Sequence, residues 1–141
     1  MLLTYPYNLL VKKFEVENVW PLARDLIQLA CKTNGAFDAD DIKDLCKQGA
    51  MQLWLVVDET DEVLATVVTE LRSYPNFKVC DARIVTGRHM EKWQHHVEDL
   101  EIWAKAKGCK KMELFARPGW ERVMKPKGYV KTHVQIEKDL L

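Results

Sequence analysis

The chain has 141 residues, 48% hydrophobic and 30% charged, which is enough for one domain with a core that needs neither disulfides nor metals. Its 21 basic and 21 acidic residues cancel, which argues against a protein that coats nucleic acid, a polybasic membrane arm, an acidic tail or a disordered chain. No apolar run approaches the roughly 18 residues of a membrane span, and Met1 to Pro6 lacks the basic and apolar regions of a signal peptide, so a soluble, cytoplasmic protein is expected.

Residues 2–14 alternate weakly and carry Tyr5, Tyr7, Leu9, Val11 and Phe14, a first strand interrupted by Pro6. Val16, Val19, Trp20, Ala23, Ile27, Ala30 and Cys31 then recur at helical spacing up to Asn34-Gly35, with Pro21 read as lying in the first turn. Asp38 is a plausible N-cap for a short second helix carrying Ile42, Leu45 and Cys46, stopped by Gly49. Met51 to Val57 is an apolar strand, and Asp58 to Asp61 supplies turn residues. Val63 to Arg72 returns as the second arm of a hairpin. After the Pro75-Asn76 turn, Lys78 to Thr86 reads as a third consecutive strand. Met90, Trp93, Val97, Leu100 and Ala104 keep one apolar stripe of a helix closed by Gly108, and Met112 to Ala116 follows as a strand. Strand, helix and strand make a βαβ crossover, so those two strands are expected to be parallel. A short helix from Trp120 to Met124 and a last strand from Tyr129 to Glu137 complete the order β-α-α-β-β-β-α-β-α-β, one α/β domain over 1–141 with a mixed sheet covered by helices.

The four cysteines, Cys31, Cys46, Cys80 and Cys109, lie far apart among apolar neighbours and read as small core residues. Of the five tryptophans, Trp20, Trp54 and Trp103 follow the core pattern, and Trp93 and Trp120 are left for a ligand or partner surface.

The element order is similar to that of the GNAT superfamily of N-acetyltransferases over essentially the whole chain. Leu100 to Leu114 (LEIWAKAKGCKKMEL) resembles the family's long helix and following strand, and Val123 to Tyr129 (VMKPKGY) its late helix-to-strand segment, usually L-Y-E-K-L-G-F. Gly87 to Trp93 (GRHMEKW) together with Arg117 to Val123 (RPGWERV) resembles small GNAT-like proteins of bacteriophages and prophages. The resemblance implies acetyl-CoA bound where the fourth strand splays from the fifth, with its pyrophosphate at the start of the long helix. A helix amino terminus offers unpaired N–H groups and a positive dipole end to such an anion. Ile84, Val85, Thr86, Gly87, Arg88, His89 and Met90 would then line the cofactor. Two positions depart from the pattern: the family loop Q/R-x-x-G-x-G/A has no glycine here after Gly87, and Met124 stands where a tyrosine often protonates the leaving thiolate.

A transferase of this kind takes a proton from an amine. Glu70 and Asp81 are the weak candidate bases, against the plainer reading that they lie on the solvent face of alternating strands. Tyr129 could supply a hydroxyl but replaces a packing phenylalanine in the resemblance. His89, at the helix start, is a candidate phosphate or substrate contact. His95 and His96 point about 100° apart on a helix and read, with His133, as surface residues, so no metal is expected. Arg117 and Trp120 form either a substrate or partner surface or a turn that plugs the sheet end. Lys105, Lys107, Lys110 and Lys111 read as a solvated helix end. Two functions remain open. One is an acetyl-CoA-dependent N-acyltransferase acting on a small-molecule or protein amine. The other is a catalytically silent GNAT-fold phage protein that binds as a homo-oligomer or assembly partner, in the host cytoplasm or the virion.

Overall fold

The computed structural model describes residues 7–32, 35–88, 96–115 and 119–141. Among these, β1 (Tyr7–Val11), β2 (Gln52–Val57), β3 (Val63–Ser73), β4 (Lys78–Gly87) and β5 (Lys111–Leu114) form a sheet in sequence order. The first four strands run antiparallel in turn, and β5 lies parallel to β4, as the crossover requires.

α1 (Val16–Cys31) and α2 (Ala39–Lys47) cover one face. Val16, Trp20, Ala23, Ile27 and Cys31 of α1 meet Ile42 and Cys46 of α2 over Leu53, Leu55 and Val68 of the sheet. The helices are tied where the Ala39 N–H donates to Gln28 Oε1 at 2.9 Å, and the Asp38 N–H donates to Asp41 Oδ2 at 2.9 Å, closing the start of α2. A 3-10 turn at Lys13–Glu15 leads straight into α1, so Pro21 stands inside the helix and not in its first turn. Its exposed ring faces water, where the missing backbone donor is tolerated because the amphipathic face still packs.

α3 (Val97–Ala106) and α4 (Gly119–Met124) lie on the other face. There Leu100 packs with Trp54, Val67 and Ala82, and the Trp103 ring meets Trp54 edge-on, with centroids 5.3 Å apart. The Trp54 indole donates to Thr69 Oγ1 at 3.1 Å, and Thr69 donates on to Gln52 Oε1 at 2.8 Å, so the buried polar edge of this aromatic pair is satisfied.

The last strand expected over Tyr129–Glu137 is absent: residues 129–141 have no regular structure and, beyond Tyr129, are exposed. Alternation alone makes a strand only where a neighbouring edge takes up its hydrogen bonds, and here none does. The first strand is likewise shorter than residues 2–14; it occupies Tyr7–Val11, and residues 1–6 lie outside the described set.

Gly87 ends β4 where β3 comes closest. A methyl group there would stand 2.5 Å from the Ala65 Cβ and 2.6 Å from the Leu64 carbonyl oxygen. Both neighbours are fixed parts of a strand, so neither can swing away. Gly87→Ala should therefore lower unfolding free energy by about 1–3 kcal/mol. Urea denaturation checks this; unchanged stability would mean that β3 and β4 part there at no cost.

Candidate functional site

β4 pairs with β3 over its whole length but with β5 only as far as Ala82 opposite Leu114. Next to that point the ladder with β3 slips: Val68 faces Ile84 and Thr69 faces Ala82, leaving Arg83 as the extra residue of a bulge. The slip resets the alternation, so that Ala82 and Val85 both face α3 while Ile84 packs on the α1 side. The two parallel strands thus part at a bulge, and the opening lies beneath α3 and α4.

The opening is lined by Ala82, Val85, Leu114, Val97, Leu100 and Trp120, with Val56, Val67 and Met124 behind them and Asn8 and His96 as its polar corner. Asn8 Nδ2 donates to the His96 carbonyl at 3.4 Å, and His96 Nδ1 stands 3.0 Å from Asp99 Oδ2. The space left between these side chains is about 20 Å³, room for about one water. Trp120 and Met124 fill the rest.

Asp81 sits one residue before the last β4–β5 pair, directly opposite Glu70 on β3 and Glu113 on β5. It is fully buried, so the solvent-face expectation for Asp81 is overturned. Glu70 remains half-buried, its carboxylate 3.6 Å from Arg72. Asp81 Oδ2 lies 3.3 Å from Arg72 Nη2 and 3.4 Å from Arg83 Nη1, whereas Oδ1, also buried, has no hydrogen-bond partner among the described residues. Burial pushes its pKa up to about 6, against the pull of Arg83 and Arg72. A carboxyl group so placed changes charge just below neutral pH.

The proposed cofactor positions separate. Ile84, Val85, Thr86 and Gly87 continue β4 beyond the parting, but Gly87 is explained by its close approach to Ala65. Arg88 is exposed, with its guanidinium 3.2 Å from Glu62 Oε1 and its backbone N–H donating to the Leu64 carbonyl at 2.8 Å. An exposed pair of this kind is worth about 0.2–1 kcal/mol. His89, Met90, Trp93 and His95 lie outside the described residues, as does Arg117. Tyr129 donates its hydroxyl to Glu101 Oε2 at 2.6 Å; burial and then the Glu101 carboxylate push its pKa up, so it is held protonated. Cys46 and Cys80 are buried with pKa values pushed up to about 12 by desolvation, the behaviour of core thiols. Among the described residues, no group of three His, Cys, Asp or Glu could hold a metal ion.

Asn8 and His96 escaped sequence reasoning. They are 88 residues apart, and neither belongs to a motif; only the register of β1 brings Asn8 under α3. His96, read as a surface histidine, has a largely buried side chain.

No family model matches the chain, and no curated protein sequence matches it. Solved structures do. A Trypanosoma brucei acetyltransferase superposes with a TM-score of 0.67 at 14% identity, covering 95% of this chain and 99% of that one. A ribosomal-protein-alanine N-acetyltransferase from Brucella melitensis biovar Abortus gives 0.70 at 9% identity, over 95% and 99%. Glucosamine-6-phosphate N-acetyltransferase from Arabidopsis thaliana gives 0.66 at 16%, over 95% and 97%. The chain has the GNAT acetyltransferase fold. At these identities, what is shared is the fold: the mixed sheet with its parallel β4–β5 pair.

The raised pKa of Asp81 gives a signed expectation. Between its unfolded value near 3.8 and about 6, the folded state holds the extra proton, so this residue's contribution to stability is complete below that window and is lost as pH rises through it. The stability of the wild type relative to Asp81→Asn should fall by about 2 kcal/mol between pH 4 and pH 7. Urea titrations of both proteins across that range measure it, and a difference that stays constant would show that Asp81 ionises normally.

Proposed function

We propose that the chain is an N-acyltransferase that draws its acyl group from acetyl-CoA and passes it to an amine. The observation that carries this reading is the parting of β4 and β5 at Ala82 and Leu114. It leaves Arg83–Gly87 without a β5 partner among the described residues, and apolar walls stand beneath α3. Parallel strands that separate at their carboxyl ends make the crevice in which such folds bind ligands.

Ala82, Val85, Val97, Leu100 and Leu114 suit a slender apolar arm in kind. The room of about 20 Å³ does not, while Trp120 and Met124 stand in it, so binding requires Trp120 to leave the cleft. Asp81 supplies the base of this reading. A carboxylate with pKa near 6 is ionised at neutral pH, and its buried Oδ1, which accepts no hydrogen bond, would take the amine proton once an amine reaches it. Glu70 stands behind it across the β3–β4 pair and keeps a second negative charge nearby. The acceptor is a small-molecule or protein amine. No described helix is long and apolar enough to cross a membrane.

The filled cleft favours a second reading, that of a catalytically silent GNAT-fold component of a larger assembly, as the resemblance to phage proteins implies. Thermal-shift titration with acetyl-CoA separates the two. Under the first reading, ligand at 100 times its Kd stabilises the wild type by about 2.7 kcal/mol, and Trp120→Ala binds at least as tightly. If neither protein shifts at millimolar acetyl-CoA, the transferase reading is lost. If only Trp120→Ala shifts, the indole is a permanent plug and the silent reading holds.

A further inference from the structure

The end of the sheet opposite the cleft is basic on every element that reaches it. β4 begins there with Lys78, α3 ends there at Ala106 and is followed by Lys107, and β5 begins there with Lys111 after Lys110. Backbone contacts hold the four lysines together. The Lys110 N–H donates to the Lys78 carbonyl at 2.8 Å, and Lys78 Nζ donates to the Lys107 carbonyl at 2.9 Å. Lys107, Lys110 and Lys111 are exposed. None of the four ammonium groups takes part in an ion pair among the described residues. The negative end of α3 accounts for Lys107, but Lys78 and Lys111 belong to strands and owe nothing to a helix dipole. The 21 positive and 21 negative charges of the chain cancel only in total, so the overall balance leaves this local excess standing.

The same end carries aromatic rings. The turn from β3 to β4 sets Tyr74 beside Phe77: the Tyr74 N–H donates to the Phe77 carbonyl at 2.9 Å, and the ring centroids lie 6.0 Å apart. Lys111 Nζ stands 4.6 Å from the Phe77 centroid, and Lys107 Nζ 6.0 Å from that of Trp103. These contacts steady two ammonium groups at the surface without neutralising them. Tyr74 is 46% exposed at the hairpin tip, and no cation stands over its ring among the described residues.

We propose that this end of the sheet binds single-stranded nucleic acid, its phosphates on Lys107, Lys110 and Lys111 and a base stacked on Tyr74. Lys78 is the positioning residue, because it fixes the end of α3 against the start of β4. A phosphate backbone supplies the negative charge that the chain leaves out here. An acidic peptide would do the same for the lysines, but it has no flat ring to lay on Tyr74, and a duplex keeps its bases enclosed. Cations beside an open aromatic platform are the combination that a single strand uses. The surface lies at the start of β4 and the cleft beyond Ala82, so this proposal is independent of the acyl-transfer reading.

Fluorescence anisotropy of a labelled oligothymidylate of about 16 nucleotides, titrated with the full chain, tests it. Three phosphate contacts should give a slope of log K against log salt of about −2, a loss of about 15-fold between roughly 50 and 200 mM salt. The double substitution Lys110→Gln and Lys111→Gln should bring that slope to about −0.7. Tyr74→Leu should weaken binding at least about 5-fold and leave the slope unchanged. No binding by about 100 µM protein at the lowest salt overturns the proposal. Binding that the lysine substitutions leave unchanged overturns it as well, because another surface then holds the strand. Unaltered binding by Tyr74→Leu, or displacement by polyglutamate at equal charge concentration, overturns it in favour of an acidic peptide. Amide chemical shifts of the wild type decide the matter if a variant does not fold. Residues 74–78 and 107–111 should move on titration, and shifts confined to other residues overturn the assignment.

Discussion

One strand has two neighbours that ask different things of it. β4 must keep its ladder with β3 along its whole length, because that pairing carries the hairpin arms on which both helical layers rest. It follows β5 only as far as Ala82. The bulge at Arg83 is where the two demands are reconciled: the extra residue bends and twists the strand, and the twist takes β4 away from β5. Everything that distinguishes this sheet from a plain mixed sheet follows from that point. The cleft opens beyond it, Asp81 is trapped just before it, and Gly87 closes the far end by letting β3 and β4 approach within a distance no other residue allows.

The electrostatics of Asp81 have the same origin. A carboxylate in the middle of a central strand, flanked by β3 and β5, loses its water. Arg72 and Arg83 return part of that loss from distances of 3.3 and 3.4 Å. Both reach the same oxygen, which leaves Oδ1 desolvated and unpaired. Burial wins over attraction, and the pKa settles near 6 and not below the usual carboxylate range. Native folds rarely leave a buried acceptor unpaired, which sets Oδ1 of Asp81 apart from the other buried polar atoms of the sheet.

What was legible in the sequence was whatever depends on period and punctuation. The β2–β3 hairpin, the N-cap Asp38, the core stripes of α1 and α2, and the crossover from β4 through α3 to β5 all follow from local patterns, and the mixed topology followed from their order. The surroundings of the candidate bases were less legible. Asp81 and Glu70 were named as bases, but alternation reads a polar residue in a strand as solvent-facing, and only the register that sets Asp81 between Glu70 and Glu113 reveals its burial. Asn8 and His96 could not be found, since contact across 88 residues leaves no trace in a local window. The bulge that puts Ala82 and Val85 on one face breaks the very period on which the reading relied. Pro21 misled in the opposite way: its preference for a first turn is real but weaker than the apolar face that carries α1 through it.

The strand expected over Tyr129–Glu137 is the most instructive departure. Its alternation is regular where β2 and β3 are near-continuously buried, yet β2 and β3 are strands because each is flanked on both sides. The difference is one of supply, since a ladder needs a second edge and a sheet that ends in four residues of β5 has little to offer beyond them. That shortness has the same root as the cleft. A β5 that ran on beside β4 would present a longer outer edge and would also close the gap beneath α3. The bulge therefore sets both the depth of the cleft and the length of edge left for the alternating segment. The parting of β4 from β5 thus leaves an incomplete rim, and the alternating row from Val130 to Ile136 stays exposed.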